Sequence, residues 1–353
     1  MNRMKLLLAG SSDRFFALQE FDNAISKLEI ETKVVNDREI YSMLPASRTL
    51  YQIVTPARFN QLITEFKPDV VFLDAPSPFG VLASKARIPV FVHLRGHYWL
   101  ELQWAREIHP AIQKKIALWW TNRNIEKCFR MSHGIFPICE YLANEVRTKF
   151  PSKKIAVLYH GIDPSKWFSE GGMQLKHPCV GLLQNANIYG KVKEVLNFKR
   201  VIEAMPDVTF YWAGDGRYRD VILKELNYSN FVWLGRLQYP DAVRKYLSEL
   251  DLYAHPSGMD MSPAALLEAQ AMQKAVVATK VGGIPEIMVH NTTGYLIEQG
   301  DADSWLSRLQ TLLEDRELAK NMGTAGREFV SSNFNWDNIA RKFMLSLHSL
   351  ITD

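Results

Sequence analysis

The sequence predicts an α/β protein of two tandem Rossmann-like, doubly wound domains facing across a cleft, and three observations carry that prediction. Short apolar or β-branched runs alternate with helix-length segments almost from end to end, the pattern of parallel strands joined by crossover helices. The runs are apolar on successive residues, as strands covered on both faces require. A polar, glycine-containing stretch at 161–178 then interrupts the alternation, which restarts after it. With 353 residues, 47% hydrophobic and 23% charged, the chain can bury two cores.

In the first half, strands are read at 5–10 (KLLLAG), 32–36 (TKVVN), 69–74 (DVVFLD), 89–94 (PVFVHL), 134–138 (GIFPI) and 154–159 (KIAVLY), each beside a helical segment. The stretch 161–178 reads as an interdomain linker and candidate hinge. Strands follow at 179–183 (CVGLL), 208–214 (VTFYWAG), 231–235 (FVWLG), 251–255 (DLYAH), 275–279 (AVVAT) and 294–297 (GYLI). The expected domains are 1–165 and 166–334, with an amphipathic helix at 335–353. Sheets of this kind bind ligands at the C-terminal ends of their strands, which places the cleft there.

Composition removes several function classes. Lys and Arg total 42 against 38 Asp and Glu, and no basic run or stacking-aromatic motif points to nucleic acid. The charge is uneven, +6 over 1–170 and −2 over 171–353, so the first half is the one suited to an anionic surface. Cys128, Cys139 and Cys179 form no CxxC pair, which fits a reducing, cytoplasmic setting and argues against a structural metal. The N-terminal apolar run is too short for a signal-peptide core, and none approaches the roughly 20 residues needed to span a bilayer. A dehydrogenase is set aside because "AGSSDRF" lacks G-x-G-x-x-G.

The stretch "GMDMSPAALLEAQAMQK" (258–274) carries the chemistry. Ser262 followed by Pro263 reads as a helix start, a hydroxyl cap and a proline in the first turn, for a helix from Pro263 to about Met272. The helix N-terminus offers amide donors and the positive dipole end to a phosphate. Asp260 precedes it, and Glu268, six residues past the cap, stands roughly 9 Å along the axis. A ligand with its phosphate over the tip then meets a carboxylate on either side, and carboxylates suit sugar and ribose hydroxyls.

The run 246–301, with "DLYAHPS", "LLEAQA", "AVVAT", "GGIPE" and "TGYLI", resembles the signature region of retaining family-4 glycosyltransferases, also called glycosyl transferases group 1. Weaker likenesses in "KPDVVFLDAPSP", "RIPVFVHLRGH", "HGIFPICEYLANEV" and "KIAVLYHGIDPSKW" extend it over nearly the whole chain. The resemblance implies the two-domain GT-B fold and a C-terminal helix that crosses back to the first domain. It also implies metal-independent transfer, with retained configuration, from a UDP- or GDP-sugar, used as co-substrate with no further cofactor. In that family a spaced glutamate pair, E-x7-E, touches donor sugar and ribose; here Asp260, one methylene shorter, takes the sugar role and Glu268 the ribose role. For the diphosphate the resemblance offers Lys191 and Lys193, with Lys193 the better match and the family's preceding arginine replaced by the neighbourhood of Asn185 and Asn187. Gly214 falls in "WAGDGRYRD", similar to the family's Gly-Asp-Gly strand end on the donor side; Arg236 and Leu237 fall in "FVWLGRL", where the family reads the nucleobase with backbone groups, and Met261, Ser262 and Pro263 form the helix tip. On the acceptor side stand Gly10 and Ser11 of a thinned glycine loop that continues through Ser12, with Arg95 and His97 after the fourth strand. No residue is expected to hold a metal.

Resemblance further implies front-face attack, with a donor phosphate oxygen taking the acceptor's proton. The acceptor is expected to be a glycan or a lipid-linked molecule. Residues 98–130 carry Trp99, Trp104, Trp119 and Trp120, and 101–130 have a net charge of about +3, suited to the headgroup zone of an anionic membrane. With the reducing setting that the cysteines fit, the expected place is cytoplasmic, with a peripheral position on the membrane's cytoplasmic face as the extension. The competing readings are a non-catalytic partner subunit, kept open by Asp260, the absent arginine and the thinned loop, and an epimerase of the same fold.

Overall fold

The computed structural model describes residues 3–11, 15–42, 53–54, 56–108 and 112–352. The chain divides into two compact units, one of residues 1–161 with 336–353 and one of residues 162–335. It therefore passes between units twice, at 161/162 and at 335/336.

Unit 1 is built on β1 (Lys5–Gly10), β2 (Glu31–Asn36), a two-residue antiparallel pair β3 (Tyr41–Ser42) and β4 (Ile53–Val54), then β5 (Val70–Leu73), β6 (Val90–Leu94), β7 (Gly134–Pro137) and β8 (Lys154–Ile155). Six of these form a parallel sheet in the order β2-β1-β5-β6-β7-β8. The central strands β5, β6 and β7 are buried at every residue, whereas edge strand β2 is only partly covered. Continuous apolar runs are thus explained by helices on both faces. The strand expected at 154–159 pairs as β8 only over Lys154–Ile155, although Leu158 N–H still donates to Pro137 O at 2.9 Å. The short β3–β4 pair has too few residues to show a period and was invisible in the sequence.

The helix Trp336–Thr352 completes unit 1. Its Phe343 ring sits 5.1 Å from each of Phe21, Phe72 and Phe136, at the centre of the aromatic core.

Unit 2 repeats the design with β9 (Cys179–Leu183), β10 (Thr209–Ala213), β11 (Phe231–Gly235), β12 (Leu252–His255), β13 (Val276–Thr279) and β14 (Gly294–Ile297). Its parallel order is β11-β10-β9-β12-β13-β14. The chain runs from β9 to one side through β10 and β11, then returns to the other side of β9 with β12. That reversal opens a crevice beyond the C-terminal ends of β9 and β12, where this class of sheet receives ligands.

The stretch read as a linker is largely part of unit 2. Trp167 is buried, Arg327 donates to Trp167 O and Pro164 O, and Glu249 accepts the amide protons of Met173 and Leu175. Its polar sequence reflects backbone held by charged side chains, a pattern that local composition does not distinguish from a free linker.

Candidate active site

The crevice of unit 2 gathers residues far apart in sequence. The loop after β12 carries Asp260, and the helix after β9, Tyr189–Asn197, carries Lys191. Lys191 Nζ lies 2.6 Å from Asp260 Oδ2. The same oxygen is 3.2 Å from His255 Nε2, and His255 Nδ1 is 3.0 Å from the Tyr253 hydroxyl. Tyr253 and His255 are two apart on β12 and so point to one face, which lines up Tyr253, His255, Asp260 and Lys191 in one chain of polar contacts. Sequence reading missed both ring residues; their signal was that spacing within "DLYAH".

Two glycines make this approach fit. A Cβ on Gly258 would lie 1.9 Å from Gly190 O, and one on Gly282 would lie 2.1 Å from Asp260 O. Gly282 also has φ +54°, in the left-handed region. Gly283 N–H donates to Asp260 O at 3.0 Å, so the "GGIPE" turn holds the Asp260 backbone from beneath.

Burial raises the Asp260 pKa, but the charges of Lys191 and His255 and the hydrogen bonds from both outweigh it and hold this carboxyl well below the usual range. Glu268 is buried to a similar degree without such compensation. Burial pushes it up to about 7, opposed by a hydrogen bond with Tyr239.

The helix bearing Glu268 runs Ala264–Ala271 with Pro263 as its N-cap. This corrects the expected cap: Ser262 makes no capping hydrogen bond, because it lies one residue outside the cap position. Its buried Oγ has no hydrogen-bond partner, and neither does Gln184 Oε1, whose Nε2 ties the β9 loop to Pro256 O at 2.9 Å. An unsatisfied buried hydroxyl beside a helix N-terminus, as at Ser262, is where a polar ligand would gain most.

Met261 is buried, with its N–H 3.1 Å from Asp260 Oδ1. Gly214 closes the end of β10, donating to Gly235 O at 2.8 Å, and a Cβ there would lie 2.0 Å from Gln184 O. Arg236 is exposed and Leu237 half-buried just past β11. Lys193, the better match by resemblance, is exposed, with Nζ 5.3 Å from the Tyr189 ring centroid. Lys191 is the lysine the fold delivers to Asp260.

Unit 1 has its own switch point, between β1 and β5, with Gly10 ending β1 and Asp74 just after β5. A Cβ on Gly10 would meet the Asp74 side chain at 3.2 Å. Ser11 is half-buried, and Ser12 lies outside the described residues. Arg95 is fixed by Asp74 Oδ1 at 2.9 Å and by His160 Nδ1 at 3.2 Å. Burial, aided by the Arg95 charge, lowers the His160 pKa to about 3, so the ring is neutral and Nδ1 accepts from the guanidinium. His97 is buried, and its Nδ1 accepts from Leu100 N–H at 3.2 Å, holding the start of the helix Tyr98–Ile108. Neither Asp74 nor His160 stood out in the sequence.

Comparison with known proteins matches residues 186–329 to the family model described as glycosyl transferases group 1, and residues 18–166 to that of glycosyltransferase family 4. N-acetyl-alpha-D-glucosaminyl L-malate synthase of Bacillus anthracis is 31% identical over 217 residues, spanning 58% of this chain and only 56% of that protein. A GDP-mannose-dependent monoacylated alpha-(1-6)-phosphatidylinositol monomannoside mannosyltransferase of Corynebacterium glutamicum is 26% identical, spanning 87% of this chain and 82% of that one. Among solved structures, Anabaena Alr3699/HepE in complex with UDP-glucose superposes with a TM-score of 0.68 at 17% identity, covering 98% of this chain and all of that one. At that identity the likeness is one of fold.

Proposed function

Given that the chain belongs to the group 1, family-4 glycosyltransferases with the GT-B fold, we propose that it transfers a sugar from a UDP- or GDP-sugar to a hydroxyl acceptor, with retention and without a metal ion. The observation that carries this reading is the Lys191–Asp260–His255 cluster beside the N-terminus of the Glu268 helix. Lys191 and the helix amides supply positive charge where a leaving diphosphate accumulates negative charge. These groups act more strongly on the breaking bond than on the ground state, which is what accelerates the step. Asp260, ionised and held by Lys191 and His255, accepts from donor-sugar hydroxyls. Glu268 accepts from the ribose, and Ser262 Oγ, buried and unpartnered, is free to meet a phosphate oxygen.

Support for the two nucleotides comes from similar proteins: the Anabaena protein was solved with UDP-glucose, and the Corynebacterium enzyme is named for GDP-mannose. That enzyme's acceptor is a phosphatidylinositol glycolipid, which favours a lipid-linked acceptor here. Trp119, 48% exposed with the Arg123 guanidinium 5.5 Å from its ring, suits the membrane surface, whereas Trp99 packs against Phe129 and Phe150. The Trp120 side chain lies outside what is described. Among the described residues no helix is long and apolar enough to cross a membrane.

Calorimetry with UDP- and GDP-sugars in chelator tests the donor site. Lys191→Met is expected to weaken binding of one of them on the order of tenfold or more, about 1.4 kcal/mol, with Lys193→Met near wild type. Equal binding by both variants and wild type would overturn the assignment. The product anomer, read by NMR coupling, tests retention.

A further inference from the structure

We propose that unit 2 carries a second site, for a divalent transition-metal ion of the zinc class, formed by His177, Cys179 and Asp251. The sheet brings these residues together. Strands β9 and β12 are parallel neighbours with Leu252 opposite Val180, so the residues one step earlier, Cys179 and Asp251, sit side by side at the starts of the strands. His177 precedes Cys179 by two.

The ligand atoms lie within 4.8 Å of one another. His177 Nδ1 is 3.6 Å from Cys179 Sγ and 2.8 Å from Asp251 Oδ2. Around a tetrahedral ion, bonds of about 2.0–2.3 Å set ligand-to-ligand distances near 3.3–3.6 Å. The sulfur–nitrogen pair already has that spacing, and the nitrogen–oxygen pair must open by about 0.5 Å to reach it. A thiolate, an imidazole and one carboxylate select zinc-class ions over magnesium or calcium, which prefer all-oxygen shells.

Access and outer contacts fit as well. The His177 and Asp251 side chains are 44% and 33% exposed, which gives an ion its approach, while Cys179 is buried behind them. Glu249 Oε1 stands 3.8 Å from His177 Nε2, an ion-pair distance that adds negative charge beside the ring without hydrogen-bonding it. The opposing charge is Lys274, whose ammonium is held by Ser248 O and Leu250 O at 2.7 Å each. Binding would displace the Cys179 thiol proton, so affinity rises with pH. The site lies at the N-terminal ends of the strands, opposite the Asp260 crevice. It would clip the 162–178 segment to the sheet without entering the transfer chemistry.

The competing arrangement is a hydrogen-bond knot in which Asp251 Oδ2 accepts from Cys179 N–H at 2.7 Å and from the His177 ring. Titration of the chelator-treated full-length protein with Co(II), followed by displacement with Zn(II), separates the two. One equivalent of thiolate-to-cobalt charge-transfer absorption is expected, absent in Cys179→Ser, unchanged in Cys128→Ser, and weakened on the order of tenfold or more in His177→Ala. No such absorption in the wild type, or its persistence in Cys179→Ser, overturns the proposal. Should Cys179→Ser fail to fold, undiminished cobalt affinity in His177→Ala, a change at an exposed side chain, overturns it alone.

Discussion

Asp260 and Glu268 are both carboxylates buried in unit 2, yet their neighbours drive them in opposite directions. Asp260 has a lysine and an imidazole on one oxygen, while Glu268 has only a phenol to set against its burial. The consequence for Glu268 is a pH-dependent stability whose sign is fixed. Between its ordinary value of 4.5 and its folded value of about 7, the folded chain keeps a proton that the unfolded chain has released, so stability falls as pH rises through that window. The full effect is about 3 kcal/mol. Urea unfolding of wild type and Glu268→Gln from pH 4.5 to 8 is expected to show the variant gaining on wild type by roughly that amount; parallel curves would mean that Glu268 ionises normally. Ribose hydroxyls donate best to the ionised form, so donor affinity should climb as pH passes 7.

At the scale of elements, the loop after β12 is shaped as much by what it lacks as by what it carries. Ser257 anchors it with two donated bonds, from its hydroxyl to Met259 O and from its amide N–H to Thr279 Oγ1, each at 3.0 Å. Gly282 then lets the next turn press on the Asp260 carbonyl. Gly282→Ala places a methyl group into that carbonyl and strains a left-handed residue by about 1–2 kcal/mol. The variant is expected to fold with a melting temperature several degrees lower and with donor affinity reduced more than stability, because the turn moves Asp260 away from Lys191. Calorimetry beside thermal melting checks this; unchanged affinity in a destabilised protein would show that the turn does not set Asp260.

Over the whole molecule, the last helix belongs to the first unit, and its Phe343 is enclosed by rings from Phe21 of the first helix and from β5 and β7. Phe343→Ala empties that space and is expected to cost about 3–5 kcal/mol. Hydrogen exchange would show the loss in β1, β5 and β7, with unit 2 strands spared; an even loss across both units would contradict the placement of Phe343 in the core of unit 1 alone. The fold was legible in the sequence because buried parallel strands must be continuously apolar, a local property, and eleven of the twelve expected strands recur within a residue or so of their expected ends. The exception, 154–159, pairs over two residues because it sits at the sheet's edge, where apolar character serves packing beyond the ladder. That Asp260 and Glu268 flank one helix start was legible for a similar reason, since both lie in one short segment. What sequence alone could not decide was which lysine meets Asp260, that His255 and Tyr253 join it, that Ser262 stays uncapped, and that Cys179 lies beside His177 and Asp251. Each depends on which strands become neighbours and on the rotation of a helix about its axis. Lys191 and Lys193 are two residues, about 200° of helix, apart, so only the packing of their helix against the β12 loop could send one to the crevice and the other to water.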